Sequence, residues 1–179
     1  MSKEIVLGSE QRLIERAKAG EEEAYLKIVE DYKDQVFRLA LGIIKNRQEA
    51  EDITQEVFIR VFKSIGNFKY RSLLKTWIFR IAVNVSKNFL KKKKEAFSLE
   101  TIEIEDNNPS PSERLEYREK LEGFMEAIGR LPFRQQTVTI LRAQQGLDFK
   151  RIARIMKCTV GGARAHYFQA LKNLKKSMV

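Results

Sequence analysis

Hydrophobic positions recur at three- and four-residue steps along most of the chain, the period of a helix buried on one face. Alternating strand patterns are absent, and the breakers Gly and Pro number only 9 and 3. Ser9 is placed to cap a first helix carrying Leu13, Ile14 and Ala17 and ending at Gly20. Residues 21 to about 44 predict a second, with Ala24, Ile28, Tyr32, Val36, Leu39 and Ile43 as its stripe. A third is predicted from about Gln48 to Ile65 on Ala50, Ile53, Val57, Val61 and Ile65. Gly66-Asn67 marks a turn, and Phe68-Lys69-Tyr70-Arg71-Ser72 reads as a basic loop. A fourth helix is predicted from about Leu73 to Lys93, with Trp77, Ile78, Ile81, Ala82 and Val85 at or near a core.

The pattern fails over residues 95–112, which hold Asn107-Asn108-Pro109-Ser110-Pro111-Ser112 among acids. A residue before proline is pushed out of the helical region, so this stretch reads as a flexible acidic linker. Helicity resumes near Glu113, breaks at Leu131-Pro132 and continues from about Phe133 to Gln144. Two short helices follow, about Asp148 to Lys157 and Thr159 to Lys176, with Asp148 and Thr159 as N-caps. The predicted fold class is all-α: two small helical domains, at 9–95 and 128–176, joined by a linker at 96–127 that includes the start of the next helix.

The last two helices have the order of a helix-turn-helix. Ile152, Ile155 and Met156 turn inward, and Ala153 allows a close crossing. Val160, Ala163, Tyr167, Ala170, Leu171 and Leu174 form the buried stripe of the second helix. That leaves Gly161, Gly162, Arg164, Ala165, His166, Phe168, Gln169 and Lys172 facing outward. Such a face suits the major groove: Arg can pair with guanine, Gln with adenine, and Ala or Phe can touch a thymine methyl. Gly161 and Gly162 lower helix propensity, which fits either a close backbone approach to DNA or a loosened first turn.

Charge sharpens this picture. Residues 1–56 carry 9 Lys/Arg against 13 Asp/Glu, and residues 57–94 carry 11 with no acid. Residues 95–129 carry 3 against 10, and residues 130–179 carry 11 against the single acid Asp148. Two basic blocks separated by an acidic one predict two surfaces for a polyanion, joined by a segment that must not bind it. Within the first basic block, Phe68 and Tyr70 stand between Lys69, Arg71 and Lys75. Aromatic rings in a cationic loop suit unstacked bases, although Phe68 could equally plug the helix junction. Lys91 to Lys94 either track a phosphate backbone or favour the end of a helix through its dipole.

Other chemistry is narrowly bounded. One Cys and one His leave no disulfide framework, no cysteine metal cluster and no histidine site, so no cofactor is predicted. Cys158 reads as a small buried thiol of the turn, not a reactive one. The polar N-terminal stretch lacks a signal peptide's apolar core, and no run of about 18 apolar residues exists, which predicts a cytoplasmic protein.

Three stretches together resemble the extracytoplasmic-function sigma factors of the bacterial sigma-70 family. Thr76-Trp77-Ile78-Phe79-Arg80-Ile81-Ala82-Val83-Asn84 is close to that family's T-W-L-Y-R-I-A-x-N. Ala50-Glu51-Asp52-Ile53-Thr54-Gln55-Glu56-Val57-Phe58 is similar to its A-E-D-x-x-Q-E-x-F. Leu131-Pro132 and Gly146-Leu147 also fit, so the likeness spans roughly residues 9–176. The resemblance implies a transcription initiation factor without enzymatic activity of its own. Asp52, Gln55, Glu56 and Phe58 would dock on the β′ clamp helices of core RNA polymerase, with a further contact to the β flap. Phe68, Lys69, Tyr70, Arg71, Lys75, Asn84 and Lys87 would read and melt the −10 element. Thr159, Gly161, Gly162, Arg164, Ala165, His166, Phe168, Gln169 and Lys172 would read the −35 element. An anti-sigma protein is a possible further partner. Tyr70-Arg71 and the helix positions Ala163, Ala165, His166 and Gln169 depart from common family residues, so no promoter consensus carries over. The competing reading is a helix-turn-helix regulator that works without polymerase, which would need neither the docking helix nor the aromatic loop.

Overall fold

The computed structural model describes residues 2–97 and 126–177, together with Gly123. Four long helices come first: α1 (Ser2–Lys18), α2 (Glu22–Ile44), α3 (Arg47–Ser64) and α4 (Leu74–Phe97). A tight 3₁₀ turn, Ile65–Asn67, follows α3. After a helical stretch at 126–129 come α5 (Phe133–Thr139), α6 (Phe149–Met156) and α7 (Val160–Ser177). The described residues contain no strand. The predicted linker and the resumption of helix near Glu113 lie outside the described residues.

Local chemistry fixes most helix ends. Asn46 Oδ1 accepts from Glu49 N at 2.9 Å to start α3, and Asp148 Oδ1 accepts from Arg151 N at 2.8 Å to start α6. Thr159 Oγ1 accepts from Gly162 N at 3.0 Å, the cap predicted for α7. Gly20, with φ 89°, lets the chain turn out of α1. Lys45 closes α2 and Lys157 closes α6 in the same left-handed region, at φ 65° and 50°. Ser9 does not cap α1 but lies inside it. Only Gly8 breaks the run from Ser2, and one glycine costs about 1 kcal/mol of helix propensity, too little to end the helix.

The core follows the predicted stripes closely. Ile28, Val36 and Leu39 of α2 meet Val57 and Val61 of α3 and Ile78, Phe79 and Ala82 of α4, all buried. In the C-terminal part, Val138, Leu141, Ile152, Ile155, Ala163, Ala170 and Leu174 are buried together. Two positions differ from the pattern. Phe79 is completely buried although the sequence stripe omitted it, and Leu171, predicted to be inside, is 45% exposed. Leu171 lies about 100° round the helix from buried Ala170, at the edge of the seam that Ala163, Ala170 and Leu174 fill.

The two parts pack directly on each other. Helix α4 lies against α6, and the end of α2 lies against α5 and the segment after it. Gln136 is buried, and its Nε2 donates to Gly42 O at 3.2 Å and Ile43 O at 3.1 Å. Those carbonyls belong to the last turn of α2, where carbonyls lack a partner within the helix. Beside them a Cβ on Gly42 would sit 3.1 Å from Ile140 Cδ1, so the absence of a side chain lets the two segments close. Residues Ile140–Gln144 continue α5 as a wider π-helical turn, with Gln145 N bonded to Ile140 O at 3.2 Å. A π turn inserts one residue per ring and redirects the faces that follow.

Gln136→Ala is expected to leave the two α2 carbonyls buried without a donor, at a cost of about 1–3 kcal/mol. The expected outcome is a lowered melting temperature and a larger radius of gyration in solution scattering. An unchanged radius would show that the amide does not hold the two parts together.

Candidate nucleic-acid and polymerase interfaces

The segment between the 3₁₀ turn and α4 is held by aromatic packing. Phe68 donates its backbone N–H to Ile65 O at 2.9 Å and buries its ring. That ring packs on Trp77, centroids 5.3 Å apart, and edge-on with Tyr70 at 5.1 Å. Phe68 is therefore the plug of the helix junction, and its ring is not open to a base in this arrangement. Tyr70 is 40% exposed and sits at φ 53°, a left-handed conformation uncommon for a bulky residue. Its hydroxyl donates to Glu15 of α1, and Lys18 Nζ lies 4.4 Å from the ring centroid. Partial desolvation, reinforced by Glu15, pushes the phenol up to about 12, while the Tyr70 hydroxyl holds the Glu15 carboxyl below its ordinary range.

The residues predicted to read the −10 element divide between two cavities. Phe68, Lys69 and Arg71 line one of about 360 Å³, together with Trp77, Arg80 and Arg154. Asn84 and Lys87 line a second of about 500 Å³, shared with Phe133, Met156 and His166. Tyr70 lines neither, and nor does Lys75. Its Nζ lies 5.2 Å from the Phe79 ring, and burial, then the charges of Arg151 and Arg38, lower its pKa.

On α3 the predicted docking residues also separate. Asp52 and Gln55 are exposed, and Glu56 is paired with Arg60 at 2.6 Å. Phe58 is 6% exposed, and its carbonyl accepts from the Tyr25 hydroxyl at 2.6 Å. Its ring is core, which corrects its assignment as a surface docking contact. The reason is register: Phe58 lies three residues before buried Val61 and seven before buried Ile65, on the same inner face. The outer aromatic is instead Phe62, 60% exposed, with Ile59 at 48% and Leu26 of α2 at 55%. Tyr25 packs edge-on against Phe62 with centroids 4.9 Å apart. Gln55, Ile59 and Phe62 are spaced by four and three residues, a single helix face that the sequence already carried.

Helix α7 presents the predicted outer face. Arg164, Ala165, Gln169 and Lys172 are exposed, Phe168 is 71% exposed, and His166 and Gly162 are half-buried. The Arg164 guanidinium lies 5.8 Å from the Phe149 ring, which in turn packs on Tyr167. That contact limits the rotamers available to the arginine. The glycines differ. A Cβ on Gly162 would sit 3.1 Å from the capping Thr159 Oγ1, so the residue is small to admit the cap. At Gly161 the nearest atom is 4.0 Å away, leaving the first turn open outward.

Comparison with known proteins bears on both halves. The Sigma-70 region 2 family matches residues 28–96, and the Sigma-70, region 4 family matches residues 121–174. This chain is an extracytoplasmic-function member of the sigma-70 family. The RNA polymerase sigma-H factor of Pseudomonas aeruginosa is 30% identical over 94% of this chain and 93% of its own length. The ECF RNA polymerase sigma-E factor of Haemophilus influenzae is 30% identical over 95% of both. Among solved structures, the sigma factor RpoE in complex with the anti-sigma factor NepR from Bartonella quintana superposes with a TM-score of 0.72. It covers 86% of this chain and 96% of its own at 20% identity, which establishes likeness of fold. CnrH in complex with the cytosolic domain of CnrY gives 0.71 at 18% identity, covering 94% and 96%. Among the described residues of the sigma factor, no helix is long and apolar enough to cross a membrane.

The two aromatic residues of α3 should behave oppositely. Phe58→Ala is expected to cost about 3–5 kcal/mol by opening a cavity in the core. Phe62→Ala is expected to cost only about 0.5–1.5 kcal/mol, the worth of its edge-on contact with Tyr25. Chemical denaturation of both variants checks the assignment of inner and outer rings.

Proposed function

We propose that this sigma factor binds core RNA polymerase, selects promoters through their −10 and −35 elements and assists duplex opening. The observation that carries the reading is the separation of two unlike surfaces on one helical scaffold. Helix α3 offers acids and an apolar face, Asp52, Gln55, Glu56, Ile59 and Phe62, suited to protein. The outer face of α7 offers Arg164, Ala165, Phe168, Gln169 and Lys172 with no acid between them, suited to a duplex groove. The docking surface is the α3 face with Leu26 beside it, and Phe58 supports that face from beneath. The −10 readers are Lys69, Tyr70, Arg71, Asn84 and Lys87, with Lys75 and Phe68 setting the shape of the loop.

In this reading residues 9–95 handle polymerase and the melted strand, residues 128–176 handle the −35 duplex, and residues 96–127 connect them. The factor performs no reaction itself; it lends specificity to the chemistry of the polymerase, in the cytoplasm where polymerase works. An anti-sigma protein is a further partner of the same surfaces. The polymerase-independent regulator is disfavoured by the exposed α3 face, which duplex binding leaves without a role.

Two experiments test the assignment. Glu56→Lys combined with Phe62→Ala should abolish pull-down of core polymerase while circular dichroism stays helical. Retained pull-down would refute the docking face. Arg164→Ala should weaken binding of polymerase holoenzyme to −35-containing duplex by about 1–3 kcal/mol. An equal loss on random duplex would mean that the arginine only contacts phosphate.

A further inference from the structure

The cavity of about 500 Å³ where α4 meets the C-terminal part is lined by two unlike kinds of residue. Pro132, Phe133 and Met156 give it an apolar wall. Pro132 is exposed, and Phe133 and Met156 are half-buried, so the wall keeps surface for a ligand. Lys87 of α4, Arg134 of α5 and Lys157 at the end of α6 add three exposed cations. None of the three makes an ion pair with another described residue, and no acid lines the cavity. Like charges gathered at a seam without an acid repel one another, and an anion between them relieves that cost. A wholly polar anion leaves the apolar wall wet, and a neutral apolar molecule leaves the cations unpaired. The lining fits a molecule divided in the same way, with an apolar body and one anionic end.

We propose that this cavity binds a small amphiphilic carboxylate. Its apolar body lies on Phe133 and Met156, and its carboxylate lies among Lys87, Arg134 and Lys157. The volume falls within the range of small-molecule sites, roughly 300–1,000 Å³, and such sites favour the junction of two domains. One side of the cavity comes from α4 and the other from α5, α6 and α7, with His166 contributed by the last. The ligand therefore binds only while the two parts are packed, and it stabilises the packed arrangement by mass action. Pro132, Phe133, Arg134, Met156 and Lys157 belong to neither promoter-reading set, so binding here does not depend on DNA or on polymerase.

The chain carries its own reporter. His166 is its single histidine and lines the cavity, so the proton on its ring Cε1 gives one assignable resonance. The full chain, without polymerase or DNA, is titrated at fixed pH and ionic strength with octanoate below its micelle concentration, with acetate and with octanol. A saturable shift of the His166 resonance and a raised melting temperature are expected with octanoate. Acetate lacks the apolar body and octanol lacks the charge, so neither should saturate in the same range. Arg134→Glu places an acid beside the carboxylate and should raise the half-saturating octanoate concentration about tenfold, with the far-ultraviolet dichroism unchanged. Arg134→Gln, which removes the charge without reversing it, should raise it by a smaller factor. The proposal is overturned if octanoate does not saturate, if acetate or octanol matches it, or if both Arg134 variants titrate like the parent. A short oligothymidylate that saturates the reporter where octanoate does not would assign the cavity to nucleic acid instead. Polymerase binding and promoter selection are measured separately, so failure here and failure of the sigma-factor reading are distinguishable.

Discussion

The arrangement of this chain turns on one buried amide. Gln136 Nε2 donates to Gly42 O and Ile43 O, the frayed end of α2, from a helix more than ninety positions further on. It acts together with the π turn against α2 and with the packing of α6 on α4 to place the C-terminal side. An apolar residue at 136 would leave two carbonyls dry and unbonded, whereas the glutamine satisfies them with a single group. The fit also needs Gly42, because a side chain there would press on Ile140. Polar pairing gives the seam its register, and Ile140 gives it apolar area.

Against this attraction stands the charge. The basic block of 57–94 and that of 130–179 meet along α4 and α6, where burial first, and then the charges of Arg151 of α6 and Arg38 of α2, lower the Lys75 pKa. A few hydrogen bonds of about 1 kcal/mol each are comparable in size to a small number of partly screened like-charge contacts. A seam so balanced would be sensitive to salt and to a protein surface competing for one face. Interfaces between domains of one chain commonly have this marginal character.

The helices were legible in the sequence because their periods are long and uninterrupted. Asp148 and Thr159 cap as read, Ser9 does not, and the stripes of α2 and α3 reach the core. What escaped was information that periodicity does not carry. The burial of Phe58 and the exposure of Phe62 follow from which of several apolar positions on α3 faces the neighbouring helices, and that depends on tertiary partners. Phe68 was open between base stacking and plugging the junction, and only its contact with Trp77 decides for the plug in this arrangement. The meeting of Gln136 with α2 had no local signal, since a glutamine on a helix is ordinarily solvated. The charge blocks predicted two polyanion surfaces, but not that the two blocks lie against each other.

That apposition constrains how promoter reading can proceed. Asn84 and Lys87, proposed for the −10 strand, share a cavity with His166 of the recognition helix. The two promoter elements are centred about 25 base pairs apart, which is roughly 85 Å of duplex at 3.4 Å per base pair. Side chains lining one cavity of about 500 Å³ cannot reach both ends of such a span. The segment between the described halves, residues 98–125, is long enough by contour to allow it, since about 28 residues extend to roughly 95 Å. Simultaneous reading therefore requires the Gln136 contact to break and α6 to leave α4. The polymerase would supply that free energy by binding the separated halves more tightly than the packed ones, since a partner shifts such an equilibrium only through its difference in affinity. On this account the packed form and the promoter-reading form are alternatives of one chain, and the strength of the seam sets how much of the factor is ready to read DNA.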